Sequence, residues 1–250
     1  MKRSIGYLKA VTRSIGSSIL DFVYPPYCSL CNRRLDDMER VVCERCWGKI
    51  RIINGPTCPG CGRPMKEDTQ DCQECSKKRR SFRYVRVLTP FDHTVQKIIH
   101  LLKYNRKRSL GTRLGRMLAV SLLHDSRTND VDLVVPVPLH KSRLRERGYN
   151  QSYFLAQPIG KDLSKPVRDD LLVRVKRTRS QTDLSPTERV KNVSEAFKVK
   201  RPDEVRGRKV MLVDDVITTG ATVEACSRAL LEGGAIDVVV AAVASPFETL

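Results

Sequence analysis

Two adjacent carboxylates, Asp214 and Asp215, close the apolar run Val210 to Val213, and Thr218-Thr219-Gly220-Ala221-Thr222 follows two residues later. Carboxylates at the end of a strand can accept hydrogen bonds from hydroxyls or hold a divalent cation. The threonines supply hydroxyl donors, and glycine lets the backbone approach a ligand closely. Where such a turn opens a helix, unpaired backbone N–H groups and the helix dipole favour an anion. The combination fits a ligand that carries hydroxyls beside a phosphate, such as a ribose 5-phosphate, with magnesium easing the repulsion between the two acidic partners. A carboxylate pair can also simply bind a metal or cap a strand end. The ordered series of apolar strand, paired acids, Thr-Gly and helix is more specific than the pair alone.

A second constellation lies upstream. Cys28/Cys31, Cys43/Cys46, Cys58/Cys61 and Cys72/Cys75 form four Cys-x-x-Cys pairs, separated by ten or eleven residues. Two such pairs supply four thiolates to a tetrahedral ion, so eight cysteines suit two zinc ions in closed, structural sites. Iron–sulfur ligation and redox dithiols use the same residue type but fit four regular pairs less well. Pairing in chain order, first with second and third with fourth, is expected, although the spacing also permits an interleaved arrangement. With Trp47 as the only tryptophan and few large apolar residues, this segment should draw much of its folding energy from metal. Cys226 stands apart in a helical pattern with Val223, Ala229 and Leu230 and reads as a buried, inert thiol.

A third feature is basic. Lys141, Arg143, Arg145 and Arg147 alternate through Leu139 to Gly148. Four cations so close suit a pyrophosphate, one or two of them in contact; they also suit a solvated helix face.

These groups need a frame. Tyr84 to Leu88, Leu133 to Val137, Val210 to Val213 and Val238 to Val243 read as strands. Val95, Ile98, Ile99 and Leu102 have helical spacing, as do Leu110, Leu114, Met117 and Leu118. Asn150 to Leu163 is helix-like, with Pro158 expected to kink or end it. Ser185-Pro186-Thr187-Glu188 reads as a capping box, and Ala221 to Leu231 as a helix ended by Gly233-Gly234. Strands alternating with helices imply an α/β fold with a mainly parallel sheet covered on both faces, whose ligand site lies beyond the carboxyl ends of the strands. The expected division is an N-terminal helical segment over 1–27, a double zinc ribbon over 28–80 and the α/β domain over 81–250.

The chain has 250 residues and a formal net charge of +18. That excess favours polyanionic partners: nucleic acid, anionic membrane or phosphorylated ligands. Lys9 and Arg13 interrupt the apolar residues near the start, so no signal-peptide core and no membrane span is expected, and the cysteine usage points to a cytoplasmic protein with metal rather than disulfides. Ile5, Leu8, Ile15, Ile19 and Phe22 fall on one face of a possible helix, which would pack on a neighbour or lie shallowly on a membrane. Basic clusters at Lys77–Arg80, Lys103–Arg108, Lys141–Arg147 and Arg174–Arg179 could follow a nucleic-acid backbone, with Tyr104, Tyr149 and Tyr153 as base-stacking or core tyrosines.

LVDDVITTGAT resembles the phosphoribosyl-pyrophosphate loop of the type I phosphoribosyltransferases. VVPVPLHKSRLRERGYNQS, SQTDLSPTERVKNVSEAF, IHLLKY and the four cysteine pairs, in that context, are similar to the ComF family of competence proteins. The resemblance implies a type I phosphoribosyltransferase-like sheet behind a double zinc ribbon. It places ribose hydroxyls on Asp214 and Asp215, the 5-phosphate on Thr218, Thr219, Gly220, Ala221 and Thr222, and pyrophosphate, with magnesium, near Lys141 and Arg143. It also implies a closing loop over Arg174 to Arg189, with Arg177 and Arg179 stabilising the departing pyrophosphate, and single-stranded DNA or DNA-uptake proteins as partners. The alternatives within it are a metabolic transferase with a small acceptor and a sensor of phosphoribosyl pyrophosphate without turnover.

Overall fold

The computed structural model describes residues 26–36, 41–67, 71–128, 130–176 and 196–247. The expected N-terminal helix, the capping box at Ser185 and the loop carrying Arg177, Arg179, Ser180 and Gln181 lie outside them. The chain forms two compact units that divide between Ile50 and Arg51. The second cysteine quartet therefore belongs to the same unit as the sheet.

In the first unit, Cys28 and Cys31 sit in a tight turn and Cys43 opens a short helix, α1 (Glu44–Trp47), that carries Cys46. In the second, Cys58 and Cys61 occupy a turn of the same construction. Each turn is closed by an antiparallel bridge, Tyr27 with Arg34 and Thr57 with Pro64. Each has the residue just after its second cysteine in the left-handed region, Asn32 at φ 58° and Gly62 at φ 74°, a conformation that Gly and Asn adopt at least cost.

The sheet has four parallel strands in the order β1-β6-β5-β2: β1 (Tyr84–Pro90), β2 (Leu133–Pro136), β5 (Lys209–Val216) and β6 (Asp237–Ser245). They are buried on both faces, which is why they read as continuous Val/Leu/Ala runs. Val210, Leu212, Val238 and Val240 face a core shared with α7 (Ala221–Glu232). A short antiparallel pair, β3 (Leu172–Arg174) with β4 (Phe197–Val199), joins that core. Neither of these strands is legible as a strand from its three residues.

The other helices are α2 (His93–Tyr104), α3 (Arg108–Leu123), α4 (Lys141–Arg147), α5 (Gln151–Asp162) and the single turn α6 (Pro202–Val205). Helices α3 and α5 pack closely on each other and on the sheet. Pro158 does not end α5, which runs through it. Tertiary contact overrides the local cost, because Gly115 of α3 lies directly against the Leu155 carbonyl and the Pro158 ring. A Cβ at 115 would collide with both. Gly115→Ala is expected to destabilise the protein by about 2 kcal/mol despite alanine's better helix propensity, seen as a lower urea midpoint.

The outer edge of β1 is not bare. Ile53 N–H donates to Leu88 O (2.8 Å) and Val85 N–H to Pro59 O (2.9 Å). Such cover removes a strand-pairing hazard. Beneath it Tyr84 donates to Asp125 (2.8 Å) and meets Thr57 Oγ1 (3.0 Å), while buried Arg86 reaches Ser121 (2.8 Å) and Ile53 O (2.9 Å). The four parallel strands end on one edge, and the loops beyond them assemble the site.

Candidate ligand site at the carboxyl edge of the sheet

The segment after β2 does two jobs. His140 caps α4 by accepting from Ser142 N (3.3 Å), and Gly148, at φ 78°, ends it in the left-handed conformation. Asn150 then caps α5, accepting from Ser152 N (3.1 Å), while its Nδ2 donates to Val137 O (3.0 Å) at the end of β2. That double tie fixes the start of α5 over the sheet edge. It places Ser152, fully buried, so that its Oγ donates to Asp214 Oδ1 (3.1 Å).

Asp214 and Asp215 leave β5 as successive residues and so diverge to opposite faces. Asp214 Oδ1 also accepts from Asp215 N (2.9 Å). Burial, then the neighbouring charge of Asp215, pushes Asp214 up to about 7, against the pull of the Asp215 N–H, Lys103 and Ser152. Asp215 is not open to a ligand in this conformation. Lys103 Nζ of α2 lies 2.8 Å from its Oδ2. The approach is off the hydrogen-bonding direction, so this buried oxygen keeps acceptor capacity. Access to Asp215 requires Lys103, three-quarters buried, to swing aside.

Beyond β5 the loop through Thr218 and Thr219 is exposed and turns into α7 at Gly220, φ 78°. Thr219 Oγ1 accepts weakly from Ala221 N (3.4 Å), and the other first-turn N–H groups of α7 have no partner within the helix. A cleft of about 30 Å³ runs from Asp214 along this loop to Thr222. That volume matches a small anion and is too small for a whole sugar phosphate unless neighbouring side chains move.

On the β2 side a cavity of about 230 Å³ is lined by Lys103, Tyr104, Arg106, Arg143, Glu146 and Arg147. Four cations face one acid there, with Arg147 over the Tyr104 ring at 5.3 Å. Arg143 thus lines the same cavity as Lys103, whereas Lys141, exposed on α4, does not line it. Arg174, at the end of β3, does not line this cavity but feels the charges of Arg143 and Asp214. Burial holds its guanidinium below the usual arginine range; the nearby Cys226 opposes this, Arg143 adds to it and Asp214 opposes it. Of the three tyrosines near basic residues, Tyr104 is 57% exposed, but Tyr149 is buried, its hydroxyl donating to Leu102 O and its ring under Arg108. Tyr149 is a core residue, because α2 and α5 close over it.

Lys103, Ser152 and Arg174 have no mark in the sequence that separates them from neighbouring basic or hydroxyl residues. Lys103 sits within IHLLKY and Ser152 within GYNQS, and only the packing of α2 and α5 brings both to β5.

The cysteines group in chain order, Cys28/Cys31/Cys43/Cys46 and Cys58/Cys61/Cys72/Cys75, with all sulfurs of each group within 4.8 Å of one another. Cys28–Cys46, Cys31–Cys43 and Cys61–Cys72 sulfurs are 3.9, 3.7 and 3.8 Å apart. A tetrahedron with Zn–S bonds of about 2.3 Å has edges of about 3.8 Å, whereas a disulfide needs about 2.05 Å. Cys43 N and Cys72 N donate to Cys28 Sγ (3.4 Å) and Cys58 Sγ (3.3 Å), as amides do to thiolates in closed metal knuckles. The donor set fits two structural zinc ions.

Residues 19–76 match the double zinc ribbon domain and residues 150–248 the phosphoribosyl transferase domain. The chain is 32% identical to DNA utilization protein YhgH of Escherichia coli, over 84% of this chain and 93% of that protein. It is 30% identical to competence protein F of Haemophilus influenzae (83% and 91% covered) and 28% identical to competence protein ComFC of Bacillus subtilis (78% and 80%). Among solved structures, the glutamine phosphoribosylpyrophosphate amidotransferase of B. subtilis aligns at 23% identity with TM-score 0.41, covering 57% of this chain and 30% of that one. The chain belongs to the competence protein F family, a double zinc ribbon followed by a phosphoribosyltransferase domain.

Proposed function

We propose that this protein binds phosphoribosyl pyrophosphate with magnesium and works in DNA uptake, on single-stranded DNA or with a DNA-handling partner. The observation that carries the first half is the juxtaposition at the end of β5. Paired acids lead into an exposed Thr-Thr-Gly turn at the N-terminus of a twelve-residue helix, beside a cavity with four cations. The loop takes the 5-phosphate, Asp214 and Asp215 take ribose hydroxyls once Lys103 releases Asp215, and Arg143 with Arg147 meets pyrophosphate. Released from Asp215, Lys103 joins those cations. Magnesium, when bound, shields the pyrophosphate charge; by the family resemblance, Arg177 and Arg179 would stabilise the departing pyrophosphate. The names of the relatives and the charge of +18 support the second half.

The test is thermal stability with phosphoribosyl pyrophosphate, with and without magnesium, alongside anisotropy of a labelled oligothymidylate. Ligand at about 100 times Kd should stabilise the fold by about 2.7 kcal/mol. Oligonucleotide affinity should fall steeply between about 50 and 200 mM salt. No shift with the sugar phosphate removes the first half, and a flat salt response removes the nucleic-acid half. Release of pyrophosphate distinguishes a transferase from a sensor.

A further inference from the structure

A larger cavity at this edge shares the Thr218–Ala221 loop with that reading, which leaves the rest of its lining without a role. It has a volume of about 390 Å³ and opens on Ile217 to Ala221 from the β6 side. This cavity and the cationic one share no lining residue: the cationic one meets Asp215 through Lys103, and this one meets the loop after the paired acids at Ile217 to Ala221. Its floor is apolar, from Val85, Ile217, Val223 and Phe247, with Phe82 alongside. Its far wall is the second cysteine module, including Gly60, Cys61 and Cys75.

Charge on the rim is unbalanced. Arg63 pairs with Glu74 (3.5 Å) and Arg80 with Asp71 (2.6 Å). Glu224, in the first turn of α7, is satisfied by Ser81 N (2.9 Å) and Oγ (2.6 Å). That leaves Lys78 and Arg79, exposed and without an ion pair among the described residues. An apolar slot with uncompensated cations at its mouth suits a flat ring bearing a negative group: the ring is desolvated on the floor and the charge stays at the rim. A nucleobase in a single strand would satisfy the floor, but its phosphates would have to enter a recess whose wall carries Glu74 and Glu224.

We infer that this cavity, walled by the second cysteine module, is a binding site for a small planar aromatic anion. The inference rests on the reading above for its consequence: the occupant is the acceptor. A ring nitrogen would bond to the sugar's anomeric carbon as the bond from that carbon to pyrophosphate breaks; pyrophosphate leaves with the electron pair, and where the nitrogen carries a hydrogen, as in orotate, that proton passes to the departing pyrophosphate. Glu224, held by Ser81 just after the module, ties this wall to the helix that carries the anion loop, so module and loop share one geometry.

The test uses the zinc-loaded full chain at physiological ionic strength, without phosphoribosyl pyrophosphate. Orotate, nicotinate and quinolinate are titrated against the neutral rings uracil and nicotinamide, by calorimetry. At least one anion should bind tenfold more tightly than its neutral counterpart, and Lys78→Ala/Arg79→Ala should weaken it tenfold with the melting temperature unchanged. Phe247→Ala should weaken the same anion, and Asp214→Asn/Asp215→Asn should not. Equal affinity for anions and neutral rings, or no effect of the Lys78/Arg79 change, overturns the assignment, as does an oligothymidylate that binds through these residues when none of the anions does. If an aromatic anion binds and phosphoribosyl pyrophosphate does not, the cavity stands and the transferase reading falls; the converse removes only the cavity.

Discussion

Asp214→Asn should make the ligand-free protein more stable at pH 8, by about 2 kcal/mol, while weakening its response to phosphoribosyl pyrophosphate. The carboxyl is buried and its pKa is raised to about 7 from an ordinary 3.8. Between those values the folded state holds a proton that the unfolded state has lost. Stability contributed by this residue therefore falls as pH rises from about 4 to about 7, and the whole cost is present above that. Asparagine keeps the shape and an acceptor for Ser152 but has no charge to desolvate. Urea midpoints at pH 5 and pH 8 measure the effect: the wild-type should lose more stability over that interval than the variant. The ligand side has the opposite sign. An ionised Asp214 accepts a ribose hydroxyl strongly, so affinity should rise through pH 7 in the wild-type and drop at least thirtyfold in the variant at pH 8, about 2 kcal/mol. A variant that is less stable at pH 8, or that binds the sugar phosphate normally, would refute the assigned role.

The second large effect separates the two cysteine quartets. Cys58→Ser should cost the sheet unit on the order of 5 kcal/mol or prevent its folding, whereas Cys28→Ser should leave the sheet unit's unfolding transition in place. The reason is the division at Ile50/Arg51. Residues after Arg51 are built into the sheet: Ile53 and Pro59 hydrogen-bond the edge of β1, Thr57 reaches Tyr84, and Gly62 lies so close to Val87 that a Cβ would clash. A collapsed quartet would uncover β1 and strand the buried Arg86 and Tyr84 groups, a penalty of the unsatisfied-polar kind. Denaturant unfolding followed by amide exchange in β1 and β6, with zinc content from a chromophoric chelator, tests it. Wild-type should release two zinc ions per chain and Cys28→Ser one. Equal loss of β1 protection in both variants would contradict the prediction.

Much of this was legible in residue order. The strands at Tyr84, Leu133, Val210 and Val238 are apolar on both faces, so burial in a parallel sheet follows from composition, and Asp-Asp before Thr-Gly stands out against it. The Cys-x-x-Cys spacing dictates four-sulfur sites because each pair spans one edge of a tetrahedron. Elements of three residues, β3 and β4, carry too little pattern to be seen, since their stability comes from the core around α7 rather than from propensity. Passage of α5 through Pro158 depends on a glycine on another helix.

By itself the sequence determined the ligand chemistry on offer: which strand ends in acids, which turn presents amides, and that eight thiolates come in four pairs. These are local properties, fixed by neighbours within a few residues. The tertiary structure alone decided that Lys103 covers Asp215, that Ser152 donates to Asp214, that Arg143 lines the cationic cavity while Lys141 does not, and that the second cysteine module walls a cavity beside the loop. Each of those contacts spans dozens of residues or depends on a helix's rotation about its axis, and both are set by how packed faces meet rather than by any stretch of chain.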